Sequence, residues 1–301
     1  MEPVKRSAGV RSEQGFVLVA ALWLLAALAS LALIFSAYLS NSARALSVND
    51  TALQVEALVS AGVELTAYRL HLGAEESRPA QGGFRTRLSG AELRVSFASE
   101  SARIDLNAAP KDMLAGLLSA LGASEDDARQ GADRIIAWRS RPAPEAAGRE
   151  DALYRAAGRS YSPRQAPFPH VNELALVLGL SPALVERALP FVTVFSGAQG
   201  IDATIAEPEA IAALPGMTPL LMQQFLGDRV RLAGDGDAVA AALGPARTSA
   251  TAKSSAYRIR ITIRLPDGRQ AASEVVIGLR GEDEPYQVLS WQDGVDRRRQ
   301  G

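Results

Sequence analysis

The longest uninterrupted pattern in the chain is apolar. No charged residue lies between Glu13 and Arg44, and within that gap residues 16–39 are almost wholly hydrophobic. As an α-helix rising about 1.5 Å per residue, the segment spans roughly 36 Å, more than the ~30 Å hydrocarbon core of a bilayer. A soluble helix of this composition would have no face left for water. The pattern therefore predicts a membrane-spanning helix. Lys5, Arg6 and Arg11 precede it, which puts residues 1–14 on the cytoplasmic side and the rest of the chain outside. A cleaved secretory signal competes, with Ala43-Arg44-Ala45 as an A-x-A site, but the apolar part of such a signal usually has only about 7–15 residues.

Past the apolar run the pattern becomes amphipathic. Leu58, Ala61, Leu65, Tyr68 and Leu72 recur at spacings of three and four and predict a packing stripe, while Glu56, Ser60 and Glu64 mark another face. Gly73 closes the helix. A single helix over residues 16–72 would be roughly 85 Å long; two helices with a break near Ser40 and Asn41 are the alternative.

After a polar loop at residues 75–83 the period changes to two. Residues 84–88 and 92–97, joined by Ser89-Gly90-Ala91, predict a β-hairpin. Near the other end, residues 257–265 alternate apolar and polar, Pro266-Asp267-Gly268 supplies a turn, residues 270–279 run back, and residues 286–291 add a third strand. The arginines of 257–265 then read as a solvated sheet face. Between these strands lie short helices: 110–121 closed by Gly122, a helix to Arg139 opened by a Ser124/Asp127 capping box with an Ala128, Ala132, Ile135, Ile136 stripe, and helices opened by Ser181-Pro182 and Thr218-Pro219. Residues 103–245 thus predict an all-helical unit set into a β framework, with 246–256 as the return linker. Within it, residues 103–110 are echoed by 200–208 with one inserted residue; a true repeat and two similar helix starts fit equally.

The fold class expected is α+β: a long N-terminal helix on an antiparallel sheet, interrupted by a large all-helical insertion of SAM or helix-hairpin-helix type. Composition narrows the function. The 301 residues carry a net charge of -1, which gives no global field toward nucleic acid. With no Cys and only His71 and His170, thiolate and most imidazole chemistry is absent, and no H-E-x-x-H, G-x-S-x-G or phosphate-loop motif occurs. A tethered hydrolase using Asp105, Asp202 or Glu150 finds no base–nucleophile pairing in the spacing. A helix-hairpin-helix binding module for nucleic acid or protein, anchored in the membrane with its bulk in the periplasm, is the alternative function. Residues 174–189 have that pattern, yet Pro182 in the turn lacks the N–H that would hold a phosphate.

The junction Gln14-Gly15-Phe16 sharpens the reading of the N-terminus. A short basic leader, Gly, Phe and an unbroken apolar helix resemble the type IV prepilin family. The resemblance implies cleavage between Gly15 and Phe16 by a prepilin peptidase, and N-methylation of Phe16. Most pilins carry Glu at the fifth mature position, where this chain has Ala20. A subunit with no neighbour above it can dispense with a carboxylate that would be costly in the bilayer, so Ala20 points to a tip subunit.

Further motifs follow in order: Ile104-Asp105-Leu106-Asn107-Ala108-Ala109-Pro110, Ala137-Trp138-Arg139, Gly148 to Tyr154, Val171 to Leu174, Leu189 to Thr193 and Val288 to Trp291. With the leader they resemble the type II secretion minor pseudopilin K family over nearly the whole chain. That resemblance implies a non-enzymatic subunit at the pseudopilus tip supporting export of folded proteins across the outer membrane. Its implied partners are minor pseudopilins I and J, the major pseudopilin, the prepilin peptidase and the inner-membrane secretion platform, with no nucleic acid. It also implies an inner-membrane, single-pass location with the bulk periplasmic, divided as leader 1–15, membrane segment 16–39, helix and first strands 40–102, helical insertion 103–245 and final strands 246–301. No cofactor is required; calcium is the one candidate, at Glu150 and Asp151.

Overall fold

The computed structural model describes residues 11–73, 78–232, 235–244, 250–281 and 283–294. Residues 1–10 of the expected leader, 75–77 of the expected polar loop and 246–249 of the expected linker lie outside them.

Helix α1 (Arg11–His71) is continuous over 61 residues, so the alternative break near Ser40 and Asn41 does not occur. The chain forms two compact units that meet at Ala57 and Leu58. In the first, residues Val17–Ser36 are apolar and long enough to cross a membrane. In the second, the last turns of α1 are followed by strands β1 (Gln81–Leu88), β2 (Ala91–Ser99) and β3 (Ile104–Asp105). Helices α2 (Lys111–Ala120), α3 (Glu125–Arg139), α4 (Arg149–Ala156) and α5 (Pro182–Ala188) then lead to strand β4 (Val192–Thr193). Helices α6 (Pro208–Ala212), α7 (Pro219–Leu232) and α8 (Gly236–Leu243) precede strands β5 (Ala256–Arg264), β6 (Gln270–Leu279) and β7 (Tyr286–Asp293).

The main sheet has the order β1-β2-β5-β6-β7, antiparallel throughout. Two of its connections are tight turns. Ser89 and Gly90 both take positive φ (49° and 79°), as a two-residue hairpin of matching twist requires. At the second, Asp267 Oδ1 accepts the Arg269 N–H at 3.0 Å and Gly268 takes φ 86°. Between β2 and β5 the chain leaves the sheet for residues 100–255, although Leu93 pairs directly with Ile263.

The α1 face that closes this sheet differs in phase from the expected stripe. Leu58, Val59, Val63, Thr66, Ala67 and Leu70 are buried, whereas Tyr68 and Leu72 are 64% and 67% exposed and Ala61 and Leu65 are half-buried. The reason is the close approach at Gly62. A Cβ there would lie 3.2 Å from Ile261 Cδ1, so the glycine side lies against the sheet and turns the larger Leu65, Tyr68 and Leu72 outward. Small residues decided the phase, and a count of large ones missed it.

The insertion is not all-helical, because β3 and β4 form a parallel pair, Ile104 with Val192 and Asp105 with Thr193. Both strands are two residues long, too short to leave an alternating pattern. The first arm of the expected helical hairpin is also different: residues Val171–Leu176 form a 3₁₀ helix rather than an α-helix. The expected caps are present. Ser124 Oγ accepts the Asp127 N–H at 3.2 Å, and Ser181 and Thr218 accept from Leu184 and Leu221.

The echo of residues 103–110 and 200–208 is a repeat of one turn. Asp105 Oδ1 accepts the Asn107 N–H and Asp202 Oδ1 accepts the Thr204 N–H. The Asp carbonyls accept from Ala109 and Ala206, and the residue after each Asp donates to a backbone carbonyl of a distant segment, Leu106 to Thr193 and Ala203 to Ala250. An arginine from the second following helix then binds each turn: Arg139 reaches the Ala109 carbonyl and Arg229 the Ala206 carbonyl. The inserted residue is Glu207, which only extends the entry to α6.

Candidate anchor and assembly site

In the first unit, large apolar side chains from Val17 to Phe35 are solvent-exposed, Trp23 and Leu18 to 73% each. Exposed alone in water, such a surface is too large and continuous for a soluble chain; a bilayer or neighbouring helices would bury it. Gly15, Phe16 and Ala20 lie within the helical backbone of α1. One apolar helix fits a single-pass anchor.

In the second unit, the expected stripe divides between two tasks. Leu58 belongs to the core, while Tyr68 and Leu72 form an outward apolar surface on α1. On the edge strand β7, Val288, Leu289 and Trp291 are partly exposed.

The ordered motifs of residues 104–193 converge on one clasp. The Asn107 amide binds the backbone of Phe168 twice, donating to its carbonyl at 2.9 Å and accepting its N–H at 2.7 Å. Asp105 Oδ2 accepts the Gly197 N–H at 2.7 Å, and Arg139 donates to the Leu106 and Ala109 carbonyls. Burial raises the Asp105 carboxyl above its ordinary range, against the lowering effect of the N–H groups of Asn107, Gly197 and Ala108 and of the Arg139 charge. Trp138 stacks on Phe168 at 6.1 Å and donates to Glu173, while the Tyr154 hydroxyl accepts the Leu178 N–H. Apart from the Trp138–Glu173 bond, these contacts tie side chains to backbone or pack aromatic rings, so the clasp holds the shape of the segment.

A second cluster was missed by sequence reasoning. Glu100, fully buried, accepts from Arg258 Nε at 2.7 Å and Nη2 at 3.0 Å, from Arg103 at 3.2 Å and from the Thr193 hydroxyl. Arg258 also bonds Glu274, which pairs with Arg260 at 2.7 Å. Burial alone would raise the Glu100 carboxyl, but the hydrogen bonds and charge of Arg258, with Arg103 and Thr193, carry it below the ordinary range; Glu274 follows the same balance with Arg258 and Arg260. Arg258 is held above its ordinary value, its burial outweighed by the two carboxylates. The expected solvated arginine face is thus corrected at Arg258, whose side chain is only 16% exposed. Its partners lie 158 and 16 residues away in sequence, and nothing local signals them.

Glu150 gives both carboxylate oxygens to Arg134 Nη1 at 2.7 Å, and one Asp151 oxygen is buried without a hydrogen-bond partner. A calcium site needs about six to eight oxygens. Here an arginine occupies the Glu150 oxygens, and no cluster of three or more His, Cys, Asp or Glu able to hold a metal occurs among the described residues.

The residues of the clasp lie within a segment that matches known proteins. Residues 93–197 match the family model described as type II secretion system (T2SS), protein K. A chain of the GspK–GspI–GspJ complex from the enterotoxigenic Escherichia coli type 2 secretion system has the same fold, with a TM-score of 0.60 at 20% identity, over 84% of this chain and 99% of that one. No curated protein matches by sequence.

Proposed function

We propose, from the premise that the chain carries a type II secretion system protein K domain, that it works as a minor pseudopilin at the tip of a pseudopilus and supports export of folded proteins across the outer membrane. The observation that carries this reading is the protein K match over residues 93–197, set in a sheet closed by a helix that also supplies an apolar anchor. The work is packing. The anchor would hold the chain in the inner membrane with its bulk in the periplasm, and the outward surface of Tyr68 and Leu72 offers neighbouring helices a place to pack. The solved relative is part of a complex with GspI and GspJ, so minor pseudopilins I and J are the partners proposed here. Ala20, without the carboxylate that would pair with a subunit above, suits a terminal position.

Two measurements test this. Mass spectrometry of the mature chain should find N-methylated Phe16, the product of a prepilin peptidase acting after Gly15. Co-expression with minor pseudopilins I and J should yield a ternary complex stable through size exclusion. A mature start near Leu46, or three proteins that elute separately, would remove the reading.

A further inference from the structure

The sheet face turned away from α1 carries a concentration of arginine that the near-neutral chain as a whole does not predict. Register fixes which residues share that face. Arg85 on β1 lies opposite Arg94 on β2, and Arg94 opposite Thr262 on β5. Arg87 and Arg264 flank Glu92, and Ser96 lies opposite Arg260, itself opposite Glu274. The carboxylates here are unevenly used. Glu100 and Glu274 are committed to Arg258, Arg103 and Arg260. Glu92 alone remains for Arg85, Arg87, Arg94 and Arg264, all of them exposed, and among the described residues none of these four has a carboxylate within ion-pairing distance.

Two further observations separate this face from an ordinary solvated one. Arg85 directly opposite Arg94 sets like charges on adjacent strands, an arrangement that costs stability and does nothing for the fold. Beside them is a recess of about 580 Å³, lined by Gln81, Gly82, Ser96, Ala98, Arg258 and Arg260 among others. Small residues at Gly83, Ser96 and Ala98 keep the sheet surface low there, and a Cβ at Gly83 would meet the Val95 carbonyl at 2.8 Å. The recess is therefore a shaped concavity next to arginines that have no carboxylate partner among the described residues.

We propose that this face docks a carboxylate-rich segment of a partner protein. Guanidinium groups match carboxylates two bonds at a time, and Ser96, Thr262 and Gln270 add neutral hydrogen-bonding positions between them. Glu92 and Glu274, set among the arginines, suit a patterned protein surface better than a uniformly anionic polymer, whose phosphates would meet them at every register. The inference does not depend on the secretion role.

The test uses the full chain in detergent and a fluorescein-labelled peptide of alternating Glu and Ser, followed by anisotropy at low and high salt. Binding should weaken as salt rises, and should fall by about tenfold when Arg85, Arg94 and Arg264 are changed together to Ser, the scale expected for three exposed ion pairs. Changing the same three to Lys keeps the charge but loses the paired bonds, so its affinity should fall between those of the parent and the Ser variant, with thermal melts run on both to separate charge from folding. Absence of peptide binding, or equal binding by the Ser and parent chains, would overturn the proposal. Tighter binding of duplex DNA or of phosphatidylglycerol vesicles than of the peptide would overturn the choice of occupant.

Discussion

Arg258 shows how far a single residue can depart from its pattern. It stands at a polar position of an alternating strand, where solvation is the simplest expectation, yet its guanidinium fills the space between Glu100 and Glu274. Removing one partner of a buried ion pair costs about 3–5 kcal/mol, because the charge left behind is neither solvated nor paired. Arg258→Met should therefore lower stability by about that amount near neutral pH. The sign of the pH dependence follows from the carboxylates. Glu100 and Glu274 titrate below their ordinary range, so the stability they contribute is complete above that range and is lost as pH falls through the lowered values. Asp105 runs the other way: its raised carboxyl is a cost at neutral pH that is relieved as pH falls through the raised value. The difference in melting temperature between parent and Arg258→Met should shrink in acid, where protonated Glu100 needs no cation. A difference that stays constant from neutral pH to acid would show that the arginine acts through packing alone.

At the scale of elements, the strands and turns were legible and the helix phase was not. Residues 270–279 form β6 as read, and Ser89-Gly90 forms the expected hairpin turn, because alternation and positive φ each leave a local mark. The two-residue strands β3 and β4 leave none. Nor did the distant groups that meet in the clasp, such as Asn107 and Phe168, show their pairing; their order was visible and their contact was not. On α1 the large residues suggested one stripe while Gly62, Val63 and Ala67 determined another. The two phases make opposite forecasts. Leu70→Ala removes a fully buried side chain and should cost about 2–5 kcal/mol, whereas Leu72→Ala removes an exposed one and should stay within about 0.5 kcal/mol. Denaturant melts of both variants decide between the phases, and equal losses would contradict the burial described here.

For the whole molecule, the insertion and the sheet have separate hydrogen-bonding economies. β2 and β5 are neighbours paired from Glu92–Arg264 to Ser99–Tyr257, so the ends of the inserted chain leave and return side by side. The insertion has its own apolar core, running from Ile104 to Ala250, and its turns are clasped internally by Arg139 and Arg229. The charged cluster joins the two parts, with Glu100, which accepts from the Thr193 hydroxyl, meeting Arg258 of the sheet. Replacing residues 100–256 by an Asn-Gly turn, which supplies the positive φ of a two-residue hairpin between the paired Ser99 and Tyr257, should therefore leave the helix and sheet folded, provided that Arg258 is changed to Thr so that no cation is left without Glu100. Circular dichroism should retain the β signal and a cooperative melt. Such a chain would still carry the anchor and the outward face of α1, but not most of the segment matched to protein K. If the proposed complex depends on that segment, the shortened chain should enter the membrane and fail to join minor pseudopilins I and J. A shortened chain that still assembled with them would place the assembly surface on α1 and the sheet alone.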